Sequence, residues 1–345
     1  MPDLDRGPRL APGRVLLPLL LAWLTLLPAD PAVADSAESM DTGGMSDKAL
    51  EEAEQEQPGR FAQLVDAVHG SISSAVEASA LRVDSFFADD RFYADTTATY
   101  VRVSGQTTFE GGEDTKSEAR VRARLDLPGT RERLRLFVEG GDPDEVEGQG
   151  SDSIPKALED NDYNIGLETQ LEDTGKWGVI PGIGVKAGGT PDPFVRLRAI
   201  RYENLGDWLM RYSAGVAQYV DDGTELQTRL DFDRPLNSDW LFRSASRIRY
   251  LGYKNRVEYN QQFSLFQKVN DRISMAYDVG AQADDDHNTD VNEFYIQTRA
   301  RFRAHKKWLY VELKPQIVFR HDEDYDPSFR FSLRADVIFG ERYRD

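Results

Sequence analysis

Arginines and carboxylates recur on one parity of a series of alternating segments. Arg102 falls between Val101 and Val103, and Arg120, Arg122 and Arg124 share a side with Glu118 and Asp126. Ala119, Val121, Ala123 and Leu125 occupy the other side of that second segment. The pair Arg229 and Asp231, then Arg299 and Arg301, Glu312, and finally Arg330, Arg334 and Asp336 obey the same rule further along. Residues two apart lie on one face of a strand, so each segment has a charged face and an apolar face. Two chemistries are open to such a set. Rings of basic side chains make a pore anion-selective. Guanidinium forks and carboxylates can instead pair across adjacent strands and hold a wall together. The carboxylates are numerous enough to neutralise many of the arginines, which favours the charge ladder, with some of its pairs lining water.

Other chemistries find little support. Cysteine is absent, which excludes disulfides, thiol catalysis and thiolate metal sites. Four histidines occur, His69, His287, His305 and His321, and none falls inside an alternating segment. A wall-borne Ser-His hydrolase therefore lacks its base, His321 at a strand end being the one loose candidate, and the chain reads as a non-enzyme. The acidic stretches ADDDHNTD and RHDEDYD could offer oxygens to a divalent cation, but their spacing does not match a calcium loop. They read as solvated loops, and no cofactor is expected. A net charge of -18 argues against a nucleic-acid partner.

The elements that must position these residues are strands. Alternation begins near Tyr100 and recurs to Phe339 in about fourteen segments, with twelve to sixteen within error. Short turns such as EDTGK, ENLGD, PLNSD and AHKK alternate with connections that are often longer and more acidic. Trp177, Trp208, Trp240 and Trp308 each directly follow a short turn. Amphipathic rings at one height form an interfacial girdle. Trp308 shares the parity of Tyr310, Glu312 and Lys314 and is expected just outside its strand. These features predict an all-β fold, a closed antiparallel transmembrane barrel over residues 96–340 whose charged faces line the lumen. Fourteen strands lie between a side-chain-filled barrel and a wide channel, so a narrow pore is compatible but not required.

The N-terminus predicts the compartment. Arg6, Arg9 and Arg14 precede VLLPLLLAWLTLL, and Ala32-Val33-Ala34 forms a small-x-small site, so residues 1–34 read as a signal peptide. Residues 35–60 are acidic and nearly free of large apolar side chains, the composition of a flexible leader. Residues 61–95 comprise a helix and linker, with Phe61, Leu64, Val65, Val68, Ile72, Val76 and Val83 on a rough stripe. A polar lumen is a poor host for that stripe, so the helix is expected outside the barrel, in the periplasm, packing on a partner or its own copies through residues 61–87.

The final strand, FRFSLRADVIFG, alternates apolar residues to Phe339 and resembles the C-terminal signal of bacterial outer-membrane proteins. A barrel-assembly machinery reads that signal; here residues 341–345 continue past it as a short tail. VRARLDLPGTRERLRLFVEG, TRLDFDRPL and WLYVELKPQIVFRHDEDYDPSFRFSLRADVIFG together resemble an uncharacterised family of proteobacterial outer-membrane barrel proteins. The resemblance implies topology, outer-membrane location and contact with lipid, and no site. A mean hydropathy of -0.56 is compatible with this, because only alternate residues would face lipid. The expected role is a narrow porin-like channel or a passive envelope component, with an envelope scaffold whose periplasmic helix binds a partner as the alternative and a loop-borne lipid hydrolase as the less favoured one.

Overall fold

The computed structural model describes residues 74–87, 99–111, 115–127, 134–140, 163–171, 177–285, 291–305 and 308–340. The signal peptide, the leader, residues 61–73 of the helical stripe, most of the linker and the tail lie outside them. Helix α1 (Ser74–Phe87) precedes fourteen strands. These are β1 (Tyr100–Glu110), β2 (Lys116–Asp126), β3 (Arg135–Gly140), β4 (Tyr163–Glu168), β5 (Trp177–Ala187), β6 (Asp192–Leu205) and β7 (Trp208–Tyr219). They continue with β8 (Thr224–Pro235), β9 (Trp240–Leu251), β10 (Arg256–Asn270), β11 (Ile273–Asp284), β12 (Val291–His305), β13 (Leu309–Arg320) and β14 (Pro327–Gly340).

Each strand pairs antiparallel with its sequence neighbours, and β14 returns to β1 to close the barrel. The closing register runs from Tyr100 opposite Gly340 to Glu110 opposite Arg330. Closure leaves no strand edge with unpaired backbone groups. The even-to-odd connections share one end with the start of β1 and the finish of β14. At that end, Gly206 takes φ 71 between β6 and β7, a left-handed conformation open to glycine at no steric cost. The opposite end carries the other connections. Three of these are also tight, at 188–191, 220–223 and 252–255, so the asymmetry expected from sequence is carried by the remaining ones.

The wall is inside-out relative to a soluble sandwich. Inward positions hold Arg102, Arg301, Asp231 and Asp336 at 0–1% exposure. Outward positions leave Val103, Phe109, Ile183, Val195, Ile296, Phe329 and Phe339 at 40–59%. Single exposed apolar residues are ordinary, but a continuous belt of them marks an interaction surface.

The helix corrects the expectation that it lies outside the barrel. Ala80, Asp84 and Phe87 are spaced i, i+4, i+7, so they share one face, and that face is buried. It lies against β7, β8 and β9. Phe86 meets Tyr310 edge-on with ring centroids 5.7 Å apart, and Phe87 meets Phe266 at 5.3 Å. Both partners point inward, so α1 sits within the lumen mouth at the tight-turn end. The lumen is not polar there: Tyr100, Leu209, Leu241, Phe266, Ala276, Tyr310 and Ile338 form one buried cluster with Ala80, Phe86 and Phe87. These residues stand where inward parity meets the strand ends, and together they make an apolar collar.

Candidate functional site

Above the collar, the inward side chains form an ionic belt built from several knots. Asp336 on β14 draws Arg301 at 2.6 Å, Arg334 at 2.9 Å and Arg102 at 3.4 Å. Arg301 also lies 3.4 Å from Glu312, linking β12, β13, β14 and β1. On β11, Asp278 accepts from Arg299 at 2.9 Å and from Gln297 at 2.9 Å. Asp231 binds Arg229 at 2.8 Å and Arg211 at 3.5 Å. Toward the loop end Arg330 donates to Glu110 at 3.0 and 3.1 Å, and Arg320 pairs with the same carboxylate.

A second knot occupies the short strands β3 and β4. Glu139 and Glu168 face Arg124, Arg196 and Arg198, with Arg124 to Glu139 at 3.0 Å and Arg196 to the two carboxylates at 2.7 and 2.9 Å. Phe137, Phe194 and Tyr219 pack beside it, and the Arg196 guanidinium lies 3.7 Å above the Phe137 ring. Glycines on the adjoining strands make room for these rings: a Cβ on Gly184 would stand 2.7 Å from Phe194.

The inward arginines named from sequence, Arg102, Arg120, Arg122, Arg124, Arg229, Arg299, Arg301, Arg330 and Arg334, all lie on the lumenal side of their strands, as do Asp231, Glu312 and Asp336. Arg120 pairs with Glu118 two residues away at 3.2 Å, and Arg122 is buried. Asp84, Glu110, Glu139, Arg211, Arg243 and Asp278 were not singled out from sequence. Four are acids whose partners lie on other elements of the fold. Arg243 sits in an alternating segment rich in serine and alanine, where inward and outward faces look alike.

The tryptophans divide. Trp177, Trp208 and Trp240 open β5, β7 and β9. Each meets an aromatic ring two strands away: Tyr212 at 5.9 Å, Phe242 at 6.1 Å and Tyr277 at 6.2 Å. Arg201 and Arg234 lie over the first two indoles at 5.6 and 5.4 Å. Trp308 precedes β13 as a turn residue, its carbonyl accepting the Ile338 N–H at 2.8 Å and its ring 5.6 Å from His305. His321, in a short 3-10 turn, packs edge-on against Tyr325.

Where belt and collar meet, guanidinium groups stack on the collar's rings. Arg299 lies 5.0 Å from the centre of the Phe87 ring, Arg301 4.8 Å from that of Tyr310 and Arg243 5.2 Å from that of Phe266. Arg243 is the joint. It donates to Asp233 on β8 at 2.6 Å and to Asp84 on α1 at 2.6 Å. Arg82 adds a hydrogen bond to the Ser238 carbonyl in the β8–β9 turn at 3.1 Å.

No protein-family model matches the chain, and no curated protein matches it. Solved structures of similar shape are outer-membrane barrels. A loop-deletion mutant of OmpT, an outer membrane protein of Vibrio cholerae, is 13% identical with TM-score 0.45, the match covering 70% of this chain and 98% of that one. OprB of Pseudomonas putida, at high pH, is 10% identical with TM-score 0.45, over 70% and 94%. The outer membrane channel DcaP of Acinetobacter baumannii is 12% identical with TM-score 0.42, over 70% and 96%.

Proposed function

We propose that this chain is an exported, integral outer-membrane barrel whose lumen is a narrow porin-like passage, closed at its periplasmic end by α1. The observation that carries this reading is the inverted wall, with charged groups buried inside and an apolar belt outside. Lipid is the solvent that such a belt requires, and a closed barrel satisfies every strand without water. The tryptophan–aromatic pairs mark the periplasmic interface, and β14 serves as the strand read by the assembly machinery. The role is passive: the belt's side chains are engaged in ion pairs, and no nucleophile–base pair stands out among them.

Planar-bilayer conductance tests the proposal. The full chain is expected to show low, infrequent conductance. A variant lacking residues 74–87 is expected to show steady conductance, because the helix packed against the collar is gone. A correctly folded barrel that stays silent in both forms removes the channel reading and leaves a structural envelope component.

A further inference from the structure

The belt pairs its cations with carboxylates, and Lys314 on β13 is an exception. Its side chain makes no hydrogen bond and no ion pair among the described residues. It lies half-buried on the inward parity, between Glu312 and Gln316, and lumen water reaches its ammonium. Glu312, the acid beside it on the same strand face, is engaged by Arg301 at 3.4 Å.

The register surrounds this ammonium with like charge. Strands β12 and β13 pair Gln297 with Gln316 and Ala300 with Leu313, which puts Arg299 opposite Lys314. On its other side Lys314 faces Ser332, with Arg330 and Arg334 one inward step away in either direction. Ser332 brings no charge, and its hydroxyl is bound to that of Thr108 at 2.9 Å. Arg299 is drawn to Asp278 on β11 and Arg330 to Glu110 on β1, so both carboxylates stand beyond the arginines as seen from Lys314. Like charges directly opposite destabilise a strand pair, and a cation left unpaired in a wall adds to that cost.

The imbalance is regional. The inward parity of β12, β13, β14, β1 and β2 carries twelve lysines and arginines against six carboxylates. That of β3 to β11 carries eleven against nine. One side of the lumen is therefore positive in a chain whose net charge is -18. Charge that the wall leaves unbalanced draws its counter-ion from the water. Lysine suits an exchangeable counter-ion, because its compact ammonium has three rotatable donors where arginine has a rigid fork. An anion held by one ammonium also leaves readily, as conduction requires.

We infer that Lys314 is the contact point of a lumenal site for a small inorganic anion, on the β12–β2 side of the barrel. The site deepens the channel reading by naming a solute class, and it rests on that reading for its purpose but not for its binding. Chlorine NMR line width tests the binding, with chloride as probe and the full chain in a non-ionic detergent. Excess line width that saturates with chloride is expected, and Lys314→Gln is expected to abolish the saturable part. Heat-modifiable migration reports whether each variant has folded. Lys314→Glu supplies the missing carboxylate, so it should abolish binding while the urea midpoint holds or rises. No saturable line width in the wild type, or the same saturable line width in folded Lys314→Gln, overturns the site. A midpoint lowered in Lys314→Glu also overturns it, because Lys314 would then have a carboxylate of its own. Bilayer recording under a potassium chloride gradient separates the two readings. The preference for anions should fall about threefold in Lys314→Gln, the worth of one unit charge roughly 6 Å from the path in water. Chloride binding in a silent barrel sinks the channel and keeps the site, and conductance without Lys314-dependent chloride binding does the reverse.

Discussion

The ionic belt and the apolar collar share one lumen and are held by different physics. In the belt, single carboxylates are surrounded by several guanidinium groups, as Asp336 is by Arg301, Arg334 and Arg102. Each partner comes from the wall itself, so belt and barrel form together or not at all. In the collar, aromatic and aliphatic side chains from seven strands converge on a helix that contributes nothing to the sheet. Its contacts are non-directional and removable. The difference teaches that damage to the belt should be felt by the whole barrel, while damage to the collar should be felt by α1 alone.

The sharpest break in that comparison is Asp336→Asn. Removing the charge leaves three guanidinium groups around a neutral amide, with Arg301 and Arg102 at 0–1% exposure. Breaking a buried pair by removing one partner costs about 3–5 kcal/mol. The expected result is a large fall in the urea midpoint of the purified barrel, with the strands losing hydrogen-exchange protection together. A midpoint within error of wild type would mean that the belt does not hold the wall.

The collar should respond differently. Phe87 is buried against Phe266 and lies beneath Arg299. Truncating it to alanine removes about 2–3 kcal/mol of apolar burial. Amide protection in α1 should drop by that amount while protection across β1 to β14 is unchanged. A parallel loss in the strands would show that the helix braces the barrel rather than merely occupying its mouth.

Much of this was legible in the sequence, and the exception is instructive. Alternation placed the strands and the lumenal arginines because period two survives locally, within one segment. Closure through β14 and β1 followed, since an unpaired edge strand is costly to leave. The collar was hidden. Seven strands each contribute one apolar residue on their polar parity, such as Leu241 in β9 or Tyr310 in β13, and alone each reads as an irregular strand end. Only the barrel's curvature brings them into a ring, which then hosts the helix that a uniformly polar lumen would reject. The helix's own stripe misled for a related reason. Its buried face includes Asp84, an acid whose partner, Arg243, lies 159 residues away.

That acid is where the two regions touch, and it offers the finest test. Arg243 holds Asp233 on the wall and Asp84 on the helix, both at 2.6 Å, so it belongs to belt and collar at once. Asp84→Asn keeps an acceptor in place and leaves the Asp233 pair intact, so the expected loss of helix docking is small, about 1 kcal/mol. Combined with Arg243→Gln in a double-mutant cycle, the same change should cost almost nothing further, because its partner is already gone. The readout is α1 exchange protection measured against that of β8 and β9. If the single and double variants lose helix protection additively, Asp84 and Arg243 are merely neighbours, and α1 is held by its phenylalanines alone. Coupling of about the size of the single-mutant effect would instead make Arg243 the link through which the wall senses whether its plug is seated.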